Sequence, residues 1–241
     1  MPHHACDPRI ADLVRAGKIR VGLFPPQYVR DPASGEPCGV LIEIVRALGA
    51  HIGVEVIVVE RPTPSQTVDC LNGGACDIAS LGFDPSRVAQ VGGFTPPLLR
   101  VDYTYLVPAR SSIRGTVDID RPGLRIAAVR DHASTLALRR LLRHAEQLGA
   151  ETADAAFELL RSGYADAWAS VRPALLDYSG RLSGSRVLAD SYGANHPALI
   201  VAKGKTARLA YLSEFIEEAK TSGLVQRAIE RAGQAGYEMA R

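Results

Sequence analysis

The sequence predicts an α/β protein, on three observations. Strand-sized runs rich in Val and Ile alternate with longer amphipathic stretches from the start of the chain. Glycines stand at the junctions where a helix hands over to a strand. The 241 residues, 46% of them hydrophobic, suffice for one large core or two modest ones.

The elements follow in order. Asp7 and Pro8 open a helix through Leu13 to Gly17, and IRVGLF (19–24) is the first strand. A helix from Gly39 to Ile52 places Val40, Ile44, Leu48 and Ile52 on one face, and the strand VEVIVV follows Gly53. SQTVDCLNGG is a short helix ended by paired glycines, and CDIASLG (76–82) is a strand. DYTYLVPA (102–109) is another strand, followed by RSSIRGTVDIDRPG, a polar passage between units. The second series comprises the strand RIAAVRD, a Leu-rich helix from Ser134 to Leu148, a helix around Ala155 to Leu160, the strand ADAWAS, a helix from Pro173 and the strand VLADSYG. PALIVAKG (197–204) returns as a strand, and the remainder is helical with a break at Gly223.

Lys and Arg number 28 against 26 for Asp and Glu, with no basic run interleaved with aromatics, so nucleic acid is not an expected partner. No apolar run approaches the roughly 20 residues that span a bilayer, and a soluble chain without membrane insertion is expected. The start, MPHHACDPRIADLVRAGK, lacks the apolar stretch of a signal peptide. The expectation is a cytoplasmic protein if the sequence is complete, and a periplasmic or extracellular one if a leader has been removed. Cys6, Cys38, Cys70 and Cys76 lack CxxC spacing. Cys70 and Cys76 can pair in an oxidising compartment, and stay free buried thiols in the cytoplasm. His3 and His4 have no further ligand at metal spacing, so no metal site is expected.

The stretch GFDPSRVAQVGGFTPPLL (82–99) carries the first chemistry. Asp84 and Pro85 are N-cap and first residue of a short helix, and Arg87 lies in its first turn. Free N–H groups and a guanidinium there suit a carboxylate, and a strand's carboxyl end is where open α/β sheets take ligands. The same residues also read as an ordinary capped helix with a solvated arginine.

The order of IRVGLFPPQY, GVLIEIVRALGAHIGVEV, LNGGACDIASLGFDPSRVAQVGGFTPPLL, GLRIAAVRDHAST and AFELLRSGYADAW resembles the family 3 extracellular solute-binding proteins, which serve polar amino-acid ABC transporters. The resemblance implies the type II periplasmic-binding-protein fold: two lobes, each a mixed sheet flanked by helices, with the ligand cleft between them. It places residues 1–107 and 196–241 in lobe 1 and 108–195 in an inserted lobe 2. A small-molecule ligand, an ABC permease partner, a monomeric state and no cofactor are what it implies.

By the same resemblance Arg87 is the arginine that pairs bidentately with the ligand carboxylate, and Ser80 to Gly82 are the strand end beside it. Ala133, Ser134 and Thr135 stand at the helix start that meets the same carboxylate, or merely cap that helix. His132, where the family has Gly, lines the cleft or fills a left-handed turn. Two departures bear on the ligand. Val171, between Ser170 and Arg172, replaces the Asp that takes the ligand ammonium in amino-acid binders. Pro62 to Ser65 replace the aromatic lid, which leaves Phe24 and Tyr28 as the nearby aromatics. An unpaired ammonium in a closed cleft costs several kcal/mol, so a carboxylate without a free α-ammonium fits better. Arg172 either recruits a second carboxylate or is solvated.

The expectation is therefore a binding protein and not an enzyme. The alternative is an enzyme resembling the cyclohexadienyl (arogenate/prephenate) dehydratases on the same fold, for which Glu43 is the first acidic candidate, set against a plain helix-face charge. GxSxG, HExxH, P-loop and GxGxxG motifs are absent. A transcription-regulator effector domain shares the fold type, but no helix-turn-helix precedes it. Asn195 and His196, at the second crossover, either face ligand or serve the hinge. Trp168 reads as core, with an indole N–H that wants a partner.

Overall fold

The computed structural model describes residues 7–241. It divides into two units: the described part of Met1–Leu99 with His196–Gln234 and Glu238–Arg241, and Arg100–Asn195 with Ala235–Tyr237.

In the first unit Asp7 accepts from the Arg9 N–H at 2.8 Å and opens a 3-10 turn, Pro8–Ile10, that leads into α1 (Ala11–Ala16). Strand β1 (Lys18–Leu23) follows, then a small hairpin of β2 (Val29–Arg30) and β3 (Pro37–Cys38). Helix α2 (Val40–Ile52) buries Val40, Leu41, Ile44, Leu48 and Ile52, and Gly53 ends it at φ +75°, a left-handed position where glycine carries no Cβ penalty. Strand β4 (Glu55–Glu60) comes next. Helix α3 (Pro64–Asn72) is capped by Thr63, which accepts from the Gln66 N–H at 3.2 Å. Strand β5 (Ile78–Gly82), a 3-10 turn over Pro85–Gln90 and strand β6 (Gly93–Phe94) complete this part.

The long strand β7 (Leu99–Val107) carries the chain into the second unit. There β8 (Arg125–Val129), α4 (Ala133–Leu141), β9 (Glu146–Ala150), α5 (Ala153–Arg161), β10 (Ala167–Val171), α6 (Arg172–Ser179), β11 (Arg186–Val187) and β12 (Gly193–Asn195) follow. Strand β13 (Pro197–Val201) and helices α7 (Thr206–Thr221) and α8 (Leu224–Ala232) rejoin the first unit, and β14 (Tyr237–Met239) closes the chain against β7.

The first unit's sheet has the order β4-β1-β5-β13-β6, with β4, β1 and β5 parallel and β13 antiparallel to β5. The carboxyl ends of β4, β1 and β5 therefore share one edge. The second unit's sheet has the order β11-β7-β10-β8-β9, with β12 and β14 also on β7. Here β10, β8 and β9 are parallel, and β7 runs against β10.

Three local expectations change. The helix expected to reach Leu148 stops at Leu141, and residues 146–150 form an edge strand on β8. The cause is Asp120, whose carboxylate accepts the N–H groups of Arg143, His144 and Ala145 at 2.7–3.0 Å and turns the chain. VLADSYG does not form one strand: it breaks between β11 and β12, where the Leu188, Ala189 and Asp190 carbonyls turn to Arg172 and Thr104. A strand, β14, occupies the tail expected to be helical.

Cys70 and Cys76 form a disulfide that ties the end of α3 to the approach to β5, and Cys38 is free. Gly22 on β1 faces that bridge, where a Cβ would lie 2.9 Å from the Cys76 sulfur. Trp168 is fully buried against Phe157 and Tyr178, and among the described residues its indole N–H finds no acceptor, contrary to expectation.

Candidate functional site

The carboxyl edge of the first unit's sheet gathers the clamp residues. Ser80 is fully buried on β5, and its hydroxyl and carbonyl oxygens both accept from the Gln27 side-chain amide, at 3.1 and 3.0 Å. The other end of Gln27 accepts from the Phe24 N–H at 3.2 Å, so the loop after β1 is stapled to the end of β5. Asp84 accepts from the N–H and hydroxyl of Ser86 at 3.0 and 2.6 Å and fixes the entry to the 3-10 turn. Arg87 then donates to the Gly82 carbonyl at 3.1 Å.

Arg87 is only 5% exposed, which overturns the reading of a solvated surface charge. A guanidinium in that setting is held in one geometry before any anion arrives, so little side-chain entropy is left to lose.

Phe24 sits in the core with Val68, Leu71, Ala79 and Leu81, while Tyr28 is half-buried and donates to Glu60 at 2.7 Å. Burial and that hydrogen bond push the Tyr28 hydroxyl up to about 12. Arg30 also binds the Glu60 carboxylate, at the carboxyl end of β4. His196 is exposed, and its carbonyl accepts from the Phe83 N–H at 3.2 Å.

In the second unit, the left-handed turn before α4 belongs to Asp131, at φ +60°, and not to His132, the extended N-cap residue at φ −70°. Asp tolerates that conformation better than most residues. Ser134 and Thr135 are buried in the first turn of α4, and neither caps it. The Thr135 hydroxyl reaches back to the Val129 carbonyl at 2.6 Å, and the Ser134 carbonyl accepts from the Tyr192 hydroxyl at 3.3 Å. Ser170 is buried on β10 opposite Thr104. Val171 precedes α6 without a side-chain cap.

Arg172 does not lie free in solvent. It donates to the Leu188 and Ala189 carbonyls at 2.9 Å and stands 3.7 Å from Asp102. The Asn195 amide oxygen is buried on β12 without a hydrogen-bond partner among the described residues.

Sequence reasoning missed Gln27, Glu60 and Phe83. An acid closing a Val/Ile strand at the sheet's carboxyl edge was a usable signal for Glu60; nothing in PPQY distinguishes Gln27. Phe83, 50% exposed, stands edge-on to Phe94 with ring centres 5.4 Å apart. Glu43 pairs with Arg46 at 3.8 Å on the same helix and lines a surface hollow with Arg227 and Arg231, as a helix-face charge does. His3 and His4 lie outside the described residues. Among the described residues no cluster of His, Cys, Asp or Glu is arranged to hold a metal ion, and no helix is long and apolar enough to cross a membrane.

Solved structures share this architecture. The solute receptor for L-cysteine of Neisseria gonorrhoeae is 21% identical, with 92% of each chain covered and a TM-score of 0.81. The ancestral amino acid-binding protein AncCDT-1, described as a precursor of cyclohexadienyl dehydratase, is 23% identical over 92% of this chain and 98% of that one, with a TM-score of 0.79. The substrate binding protein of an amino acid ABC transporter is 20% identical over 89% and 98%, with a TM-score of 0.76. No curated protein sequence matches the chain. The model for bacterial extracellular solute-binding proteins, family 3, matches residues 19–234. The chain belongs to that family and has the type II periplasmic-binding-protein fold.

Proposed function

We propose that this protein captures a small carboxylate-bearing solute, amino-acid-like but without a free α-ammonium, and delivers it to an ABC importer. The observation that carries the reading is the buried Arg87 held at the carboxyl end of β5 by Gly82. A planar guanidinium fixed at a sheet's carboxyl edge matches a carboxylate in charge and in fork geometry. Ser80 and Gly82 are assigned polar contacts beside it, and Tyr28 an apolar one. In the second unit, Ser134 and Thr135 are assigned polar contacts of their own in the first turn of α4, where N–H groups favour an anion.

The missing ammonium follows from Val171. An aliphatic side chain at the carboxyl end of β10 offers a cation nothing, and the neighbouring Arg172 repels it. Location outside the cytoplasmic membrane agrees with the disulfide between Cys70 and Cys76, since such bridges persist in oxidising compartments. Isothermal titration of amino acids against their keto, hydroxy and N-acyl counterparts tests the reading. Submillimolar binding of a carboxylate, lost in Arg87→Ala, supports it; binding that survives that substitution refutes it.

A further inference from the structure

Asn195 presents an acceptor that nothing described in the second unit meets. Its amide oxygen is buried and has no hydrogen-bond partner among the described residues. The other buried polar atoms of this kind in the unit have settled places. Trp168 Nε1 lies in the core with Phe157 and Leu175, Gln147 stands near the amino end of β9, and Asp102 is ion-paired with Arg100 at 2.8 Å.

Strand register fixes where Asn195 stands. Val171, Tyr103 and Gly193 form one row across β10, β7 and β12, and Val101 with Asn195 forms a row two residues farther in the direction that β10 runs. Residues two apart on a strand share a face, so Asn195 is on the face of Val171 and past the carboxyl end of β10. Helix α4 packs on this face: Leu138 clusters with Tyr105 and Ala169, and the Ser134 carbonyl accepts from the Tyr192 hydroxyl. Gly193 leaves room there for the Tyr103 ring, since a Cβ would stand 3.3 Å from it.

The chemistry that suits this face is narrow. A buried amide oxygen without a donor is costly, and a solute that brings an O–H or N–H recovers that cost. A keto oxygen is a second acceptor and recovers nothing. An ammonium brings a donor together with a charge, which Val171 cannot meet and Arg172 opposes. A neutral donor remains.

We propose that Asn195 sets specificity by accepting from a neutral donor, a hydroxyl or an acylated nitrogen, on the carbon that carries the ammonium of an amino acid. The solute is then a 2-hydroxy or N-acyl acid and not a 2-keto acid. The proposal rests on the transport reading, in which Val171 withholds the partner of that ammonium.

Titration calorimetry on the full chain tests it with the 2-keto, 2-hydroxy, N-acetyl and free amino acids built on the alanine, leucine and phenylalanine skeletons. The hydroxy or N-acetyl acid is expected to bind roughly tenfold more tightly than the keto acid of its skeleton, the effect of one hydrogen bond, and the tighter of the two names the donor. Asn195→Leu and Asn195→Ala should erase that preference and leave keto-acid affinity unchanged. Asn195→Asp, which keeps an acceptor in place, should retain it. The order of the acids in the wild type decides by itself where a variant does not fold. A keto acid bound as tightly as its hydroxy and N-acetyl counterparts overturns the proposal, as does a free amino acid bound tightest, or a preference that survives both apolar substitutions. The transport reading stands in those cases while binding needs Arg87. If none of these acids binds, or binding survives Arg87→Ala, that reading falls and the assignment of Asn195 with it.

Discussion

Arg87 donates a hydrogen bond to the carbonyl oxygen of Gly82 at 3.1 Å, so the last residue of β5 orients the guanidinium that follows it by five positions. The strand end and the cation behave as one rigid part. Arg87→Ala is expected to lower affinity for the carboxylate ligand about a hundredfold or more, in line with the roughly 2–5 kcal/mol lost when one partner of a desolvated charge pair is truncated. Arg87→Lys keeps the charge but not the planar fork, and is expected to lose about tenfold. Titration calorimetry reads both; a two- or threefold effect of the alanine variant would remove Arg87 from the site.

Gln27 is the support for that edge, because its amide holds both oxygens of Ser80 while its carbonyl receives the Phe24 N–H. Gln27→Ala leaves a buried carbonyl and hydroxyl without their donor, a cost of about 1–3 kcal/mol. Chemical denaturation is expected to show that loss, together with a several-fold weaker ligand affinity. Unchanged denaturation midpoints would mean that the Gln27 contacts do not persist in solution.

The parts of this architecture that were legible in the sequence are those decided locally. Helix α2 announces itself through Val40, Ile44, Leu48 and Ile52, and β5 through a short run that is apolar but for Ser80 and ends on Gly82. The turn at Asp84 and Pro85 was equally plain, although it is a 3-10 turn and its arginine is buried. Strand β9 was not legible, since Glu146, Gln147 and Leu148 favour helix and become strand only by pairing with β8 after Asp120 has turned the chain. Nor could the sequence say which of Asp131 and His132 takes the positive φ, or that Arg172 spends its donors on carbonyls 16 and 17 residues away. Those choices belong to tertiary contacts.

The disulfide closes a short loop, with a sequence separation of 6. Chain-entropy reasoning gives such a loop about 2 kcal/mol of stabilisation. Replacing both Cys70 and Cys76 by Ser is expected to lower the melting temperature by about 4–8 °C for a chain of this size. Dithiothreitol should do the same to the native protein and nothing further to the double variant. An equal shift in both would show that the reductant acts elsewhere.

Acid should loosen the second unit through Asp120. Backbone hydrogen bonds from Ala145 and His144 hold its carboxyl below the usual carboxylate range. A depressed folded pKa contributes stability that is present above the unfolded value, about 4, and is lost as pH falls through the folded value. Urea unfolding from pH 7 to pH 2.5 is expected to show a decline beginning near pH 4, with a shallower slope in Asp120→Asn. Asp118 and Asp190 are also held low, by backbone hydrogen bonds from Arg114 and Gly115 and by the Thr116 contacts that outweigh Asp190's desolvation, so part of the slope should remain. A slope unaltered by the substitution would detach Asp120 from the acid transition.

Val171 offers the most direct test of what the ligand lacks. It is the N-cap residue of α6, has extended backbone angles (φ −72°, ψ 141°) and supplies no side-chain cap. Asp is among the best residues for that position, so Val171→Asp should fold and gain about 1 kcal/mol, or roughly 2–4 °C in melting temperature without ligand. The same carboxylate would give an ammonium group the partner that the wild-type side chain withholds. The variant is therefore expected to turn the ligand preference around: an α-amino acid that shifts the melting temperature less than its keto acid in the wild type should shift it more in Val171→Asp, since the shift follows RT ln(1 + [L]/Kd) for any ligand that binds only the folded state. Arg172 cannot cancel the new charge without leaving the Leu188 and Ala189 carbonyls, which keeps the effect attributable to position 171. A stabilised variant with the wild-type order of ligand preference would show that position 171 caps its helix and never meets the ligand. In that case the buried oxygen of Asn195 becomes the next group to substitute.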